Sequence, residues 1–303
     1  MLDINKILNT LTNEKNRVVF LFALIILSFN TFSKNKKYLV LANVVKINDS
    51  TYIDATEISN QNWREYYSWN QIIYGDSIAR IKCGIDDKFE RLDTVLRYGE
   101  PYARYYFKHP AYNDYPKIGI SYQQAIEYCK WRTDRAYEKE LIKNKIIKHP
   151  FNQDSSNYFT IDRFLNGLAK DLTLLPSIVV RYHLPTLDEY KSVEKNAYEN
   201  YVSMKSIKNP SKKKNGLDNY SDITTNVYNN FQNQSGIYNL IGNVSEMTNI
   251  EGVAYGGNWT MKEIPRDYTT TYFEPTIWLG FRCIAKVTNL TDYQSVYNKT
   301  IDQ

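Results

Sequence analysis

The C-terminal half of this chain is rich in Asn, Gly, Ser, Thr and Tyr and shows little sustained periodicity, yet it carries three dense blocks. They read Asn239-Leu-Ile-Gly-Asn-Val-Ser-Glu246, Gly256-Gly257-Asn258-Trp259 and Gly280-Phe281-Arg282-Cys283. A segment with neither a helical nor a strand period does not build long regular elements, so it belongs in a loop-rich fold. The adjacent glycines let a strand pass close to helices, and Trp259 is placed to fill the core.

At 303 residues and 43% hydrophobic the chain can bury one large core, and one elaborated domain is expected. Its 38 basic and 33 acidic side chains leave +5 spread along the whole length, without the basic stripe that a phosphate backbone needs, which excludes nucleic acid as a partner. Tyr occurs 27 times beside abundant Asn, Lys and Ile, a pattern read as genome composition, with a Tyr-rich recognition surface as the alternative. Lys6, Lys15 and Arg17 precede the apolar run Val18 to Phe29, which is long enough for a signal-peptide core and short of the ~20 residues that span a bilayer. Residues 1–33 are therefore expected to be a signal peptide, with Thr31 and Ser33 at the small-residue positions before cleavage, or else an uncleaved anchor. No cysteine closely follows the run, so the expectation is an exported protein, periplasmic or envelope-associated, that is not a lipoprotein. Residues 34–303 then form a single domain.

In an oxidising compartment Cys83, Cys129 and Cys283 permit one disulfide and leave one thiol, and spacing alone does not pair them. His109, His149 and His183 are too scattered for a zinc or iron cluster with local ligand spacing, so metal chemistry would have to use oxygen ligands.

Tyr38 to Ile47 and Ser50 to Ile58 read as strands around the turn residues Asn48 and Asp49. Ser59 reads as an N-cap, with Trp63, Tyr66, Tyr67, Asn70 and Ile73 largely on one helical face and Gly75 as the stop. Ser121 to Gln124 forms a capping box for a helix facing inward through Tyr122, Ala125, Ile126 and Cys129, and Thr186 to Glu189 forms another after Leu184 and Pro185. Residues 136–180, with the charged stretch Glu138 to Lys148 and a helix over 160–172, read as an insertion packed on the outside. Lys205 to Asp218, with Pro210, Gly216 and three successive lysines, reads as a solvated loop.

The terminal blocks together resemble the C-terminal signature of the formylglycine-generating (sulfatase-modifying factor) family. Three upstream blocks resemble the same family in order: Tyr52 to Asn60, Tyr115 to Trp131, and His183 to Glu189 with His where the family has Arg. The resemblance covers roughly residues 38–287 and implies an α+β fold, a variant of the C-type lectin fold that is loop-rich with two main helices and short antiparallel sheets. Within the family, Gly99 to Tyr112 followed by Trp131 to Arg135 resembles the gliding-motility and type IX secretion lipoproteins of the J and K type from Bacteroidetes, although the lipid-bearing cysteine is missing.

What the resemblance implies for chemistry is largely negative. The family's copper-binding cysteine pair falls at Met261 and Arg266, so no copper is expected and the domain reads as a pseudoenzyme. The family's calcium loop falls on Asn239, Gly242, Val244 and Glu246, which makes structural calcium the cofactor reading, against a loop that simply caps and packs. Cys129 and Cys283 match the cysteines that pair in oxidised members, and Cys83 is left as a buried, unreactive thiol. Arg282 is read as a structural ion-pair or hydrogen-bond anchor, because active and inactive members share it. The expected role is a non-catalytic structural and interaction component of a bacterial envelope machine, with envelope proteins as partners. The alternatives are a divergent metal-dependent oxidase and a lectin-like module for glycan or peptide.

Overall fold

A computed structural model describes residues 41–84, 105–148, 153–167, 175–194, 206–208, 224–228, 232–261, 263–265 and 267–292. The chain divides into two units, residues 1–42 and 43–303, and the elements below all belong to the second. The expected signal peptide lies outside the described residues, as do Arg266 and most of the expected loop over 205–218. Among the described residues no helix is long and apolar enough to cross a membrane.

Strands β1 (Val44–Lys46) and β2 (Thr51–Asp54) form the expected opening hairpin, with Val45 opposite Ile53. Helix α1 (Asn60–Tyr74) starts where Ser59 and Asn62 close a reciprocal capping box, and it ends at Gly75, whose φ of 79° favours glycine. The short α2 (Asp76–Lys82) follows. Helix α3 (Tyr122–Lys143) begins at the predicted Ser121 to Gln124 box and buries Ala125, Tyr128 and Cys129, whereas Tyr122 and Ile126 are only half-buried. Two shorter helices, α4 (Ile161–Gly167) and α5 (Leu187–Glu194), flank β3 (Ile178–His183). The Thr186 to Glu189 box caps α5: the Glu189 amide donates to Thr186 Oγ1 at 3.1 Å and the Thr186 amide to Glu189 Oε2 at 2.8 Å.

The remaining strands are short: β4 (Ser206–Lys208), β5 (Ser245–Met247), β6 (Val253–Tyr255), β7 (Glu263–Pro265), β8 (Thr269–Thr271), β9 (Leu279–Gly280) and β10 (Ile284–Asn289). One sheet runs β1-β2-β10-β3, a second β8-β6-β5-β9, and β4 pairs with β7. All pairs are antiparallel except β5 with β9. Strand β4 falls inside the stretch read as a loop, because its partner β7 lies more than fifty residues away and leaves no local signal.

Apolar clusters among the described residues hold these layers. One gathers Ile53, Tyr190, Leu240, Ile241, Tyr255 and Ile284, joining the first sheet to α5 and the signature loop. A second joins Tyr137, Leu141, Ile161, Val179 and Leu290. Each such side chain contributes about 1.5–3 kcal/mol on burial. Through the second cluster the end of α3 and the start of α4, within 136–180, bury their apolar side chains against Val179 and Leu290. Gly256 and Gly257 act differently from expectation. A Cβ at Gly256 would lie 2.7 Å from the Leu240 carbonyl oxygen, and one at Gly257 2.7 Å from the Ile264 side chain, so the close approach is to a loop and a strand rather than to helices.

Candidate functional site

The signature blocks converge on one buried polar knot. Glu57 follows β2, Asn239 and Asn243 sit in the loop before β5, Glu246 lies in β5, and Arg282 follows β9. Both asparagines adopt positive φ, 48° and 56°, which Asn tolerates better than most residues. That loop turns the Asn243 side chain toward Glu57, where its Nδ2 donates to Oε1 at 2.8 Å. Asn239 Nδ2 donates to Glu57 Oε2 at 3.3 Å and to the Val227 carbonyl at 3.2 Å.

Arg282 is fully buried and spends its planar fork on four bonds. Nε donates to Glu246 Oε2 at 2.6 Å and Nη2 to Oε1 at 2.5 Å, a bidentate pair, while Nη1 reaches the Asp54 carbonyl at 3.0 Å and Nη2 the Tyr238 carbonyl at 2.9 Å. Tyr190 adds its hydroxyl to Glu246 Oε2 at 2.9 Å and stacks on Tyr255 with ring centres 4.6 Å apart. Burial alone would disfavour the guanidinium charge, but Glu246 and then Glu57 outweigh it and raise the Arg282 pKa. For Glu57 burial is the largest influence and Glu246 adds to it, against Arg282, so its pKa is pushed up to about 8. The expected role of Arg282 as an ion-pair anchor is what this geometry describes.

A calcium ion takes six to eight oxygen ligands. Gly242 and Val244 have only backbone carbonyls to offer, and both Glu246 oxygens accept from Arg282 or Tyr190. Asn239 Oδ1 is buried without a hydrogen-bond partner, but one neutral oxygen does not make a cage. Of the set Asn239, Gly242, Val244 and Glu246, the one carboxylate is thus engaged by Arg282. Among the described residues no group of three His, Cys, Asp or Glu is placed to hold a metal.

At the position implied for the copper ligands, Met261 is half-buried and its amide donates to the Asn258 carbonyl at 3.1 Å. Asn258 fixes this turn, its Nδ2 donating to Ser245 Oγ at 2.9 Å and its Oδ1 accepting from the Thr260 hydroxyl at 2.6 Å. Trp259 packs against the cluster containing Val244 as expected.

The cysteines are free thiols, all buried. Cys129 and Cys283 are brought together with sulfurs 3.6 Å apart, beyond the ~2.05 Å of a bonded pair. Cys83 is fully buried, and desolvation pushes its pKa up to about 12, in keeping with an inert thiol. Sequence reasoning missed Glu57, Asn243, and the half-buried pair in which Arg132 Nη1 and Nη2 donate to the Asp54 carboxylate at 2.7 and 2.9 Å. Each stood within a block that carried the resemblance, and their partners stand 78 or more residues away.

Short, mainly antiparallel sheets, two long helices and a signature loop locked by a buried Arg–Glu pair define an irregular α+β domain of the formylglycine-generating type. The chain belongs to this family: residues 29–287 match the sulfatase-modifying factor enzyme 1-like domain. Among solved structures it is similar to CarF, 15% identical over 82% of this chain and 94% of that one, with a TM-score of 0.40. It is also similar to variable protein 1 of Treponema denticola, 15% identical over 82% and 92% with a TM-score of 0.39, and to PvdO from Pseudomonas aeruginosa, 11% identical over 78% and 80% with a TM-score of 0.41. A search of curated proteins gave no match.

Proposed function

We propose that this family member is an exported, non-catalytic domain that works as a structural and interaction component of a bacterial envelope machine, of the gliding-motility or type IX secretion kind. The observation that carries the reading is Met261 in a turn fixed by Asn258, where the family holds a copper-binding thiolate, while Glu246 and Arg282 are spent on each other. A thioether is a weak ligand and Arg266, the second position, is a permanent cation, so the pair does not replace two thiolates. A domain that keeps the scaffold and loses the ligands is left with its surface. In this reading the protein sits in the periplasm or on the envelope without a lipid anchor, Cys129 and Cys283 are oxidised to a disulfide, and the Arg282–Glu246 pair holds the signature loop without calcium.

Affinity purification of the tagged chain from its native envelope, with mass spectrometry of companions and of its own N-terminus and elemental analysis of the product, tests this. Secretion or gliding components should co-isolate with a metal-free chain whose N-terminus begins near residue 34. A solitary protein carrying stoichiometric copper or iron would return the oxidase to the front. A thermal midpoint that falls on chelation would show that calcium is needed after all.

A further inference from the structure

A cleft of about 640 Å³ opens between α1, α3, α4 and β3, and no residue of the Glu246–Arg282 knot lines it. Its wall is aromatic, with Trp69 and Tyr74 from α1, Trp131 from α3 and Tyr158 from the segment before α4. Trp69 and Tyr158 meet edge to face with centres 5.5 Å apart, as do Tyr74 and Tyr158 at 5.7 Å. A cleft of roughly 300–1,000 Å³ with aromatic walls and a few polar groups is the usual form of a small-molecule site.

Charge decides which chemistry suits it. Three carboxylates, Glu127, Asp134 and Asp162, share the lining with three cations, Lys82, Lys130 and Arg181, so there is little net field to draw an ion. Glu127 and Lys130 are already paired at 2.9 Å. An ammonium ligand would be repelled by cations already seated on one face of these rings: Lys82 lies 4.9 Å over Tyr74, Arg163 4.1 Å over Tyr158 and Arg135 4.9 Å over Trp69. A second cation on the opposite face would meet the first across the ring.

A purely apolar ligand suits the cleft no better, because it would leave polar groups of the wall unmet. Asp134 accepts the Ile161 amide on Oδ1 at 3.0 Å, and its other oxygen takes no hydrogen bond among the described residues. The Trp131 indole N–H is also buried without a hydrogen-bond partner. The matching ligand is neutral, with C–H faces to lie on rings and hydroxyls that both donate and accept.

We propose that the cleft between α1, α3, α4 and β3 binds a neutral saccharide, its ring lying on the Trp69, Trp131 and Tyr158 wall and a hydroxyl meeting Asp134. The site is independent of the envelope role, and failure to find envelope partners leaves it standing.

Titration of the full chain with neutral tetrasaccharides of the cello, xylo, manno, malto and N-acetylchito series, read by calorimetry and tryptophan emission, tests it. At least one series should bind saturably and shift the emission, since two of the five tryptophans stand in the wall. Trp69→Ala and Tyr158→Ala should each weaken that ligand tenfold or more, with circular dichroism confirming the fold. Phe273→Ser, on a side chain 98% exposed and outside the cleft, should leave binding unchanged. Silence across the panel at millimolar saccharide would overturn the assignment. So would binding that survives both wall variants in folded protein, or a preference for charged chitosan or uronate oligomers.

Discussion

Arg282 carries four hydrogen bonds with no exposed surface, so its replacement tests how far the knot acts as a unit. Arg282→Met leaves Glu246 buried beside a neutral side chain and strands the Asp54 and Tyr238 carbonyls, and stability should fall by about 3–5 kcal/mol in urea unfolding. Adding Glu246→Leu should recover part of that loss, because the unpaired charge is gone while the two carbonyls remain unmet. A double variant no better than the single would show that the carbonyl bonds, not the ion pair, dominate. Glu57 gives the knot a pH signature. Its folded pKa of about 8 lies above the ordinary 4.5, so the folded chain keeps a proton that the unfolded chain releases as pH rises between these values. The group's contribution to stability is thus undiminished at acid pH and is lost as pH climbs from about 4.5 to 8. Glu57→Gln cannot lose that proton, and its stability relative to the parent should rise through that window. A difference that stays flat with pH would refute the protonated form.

At the scale of elements, the capped helices make the simplest forecasts. Ser121 accepts the Gln124 amide at 3.2 Å and Gln124 Oε1 accepts the Ser121 amide at 2.8 Å, so Ser121→Ala should cost α3 about 1 kcal/mol by chemical denaturation. Such boxes are legible in sequence because both partners lie within four residues, and the starts of α3 and α5 were read from them. The far end of α3 was not, because Glu138 to Lys143 look like a solvated charge run. In the fold Glu138 is buried instead, accepting from Arg135 Nη1 at 2.5 Å and Gln153 Nε2 at 2.9 Å. The β10–β3 pairing sets Ile284 against His183, about a hundred residues apart, and no local period reports it. The signature knot was half legible for the same reason: Glu246 and Arg282 stood in the terminal blocks, whereas Glu57 meets Asn243 across 186 residues. The aromatic cleft was hidden altogether. Trp69, Trp131 and Tyr158 come from three segments, in a chain whose 27 tyrosines make each aromatic unremarkable by itself.

At the scale of the whole molecule, α3 is tied to the first sheet at one place by two means. Arg132 grips Asp54 at the end of β2, Asp54 Oδ2 also accepts the Cys283 amide at 3.0 Å, and the Cys129 and Cys283 sulfurs face each other one helical turn away at 3.6 Å. A bond between them would close a separation of 154 residues, worth about 5 kcal/mol in the chain-entropy view, so Cys129→Ser should lower the thermal midpoint by roughly 10 °C or more. Timing follows from burial. Desolvation first, then the contact with Cys129, raises the Cys283 pKa well above its ordinary value, and a thiol that does not ionise does not attack. Once α3 has docked, the pair is closed to oxidants, so the proposed bond would have to form while the chain is still folding. Alkylation of the denatured, unreduced protein from its native envelope should therefore label Cys83 alone. Protein refolded under reducing conditions should resist added oxidant until it is unfolded again. Three labelled thiols in native material, with a Cys129→Ser midpoint equal to the parent's, would mean that the Asp54–Arg132 grip holds α3 without help and that the chain folds where thiols stay reduced.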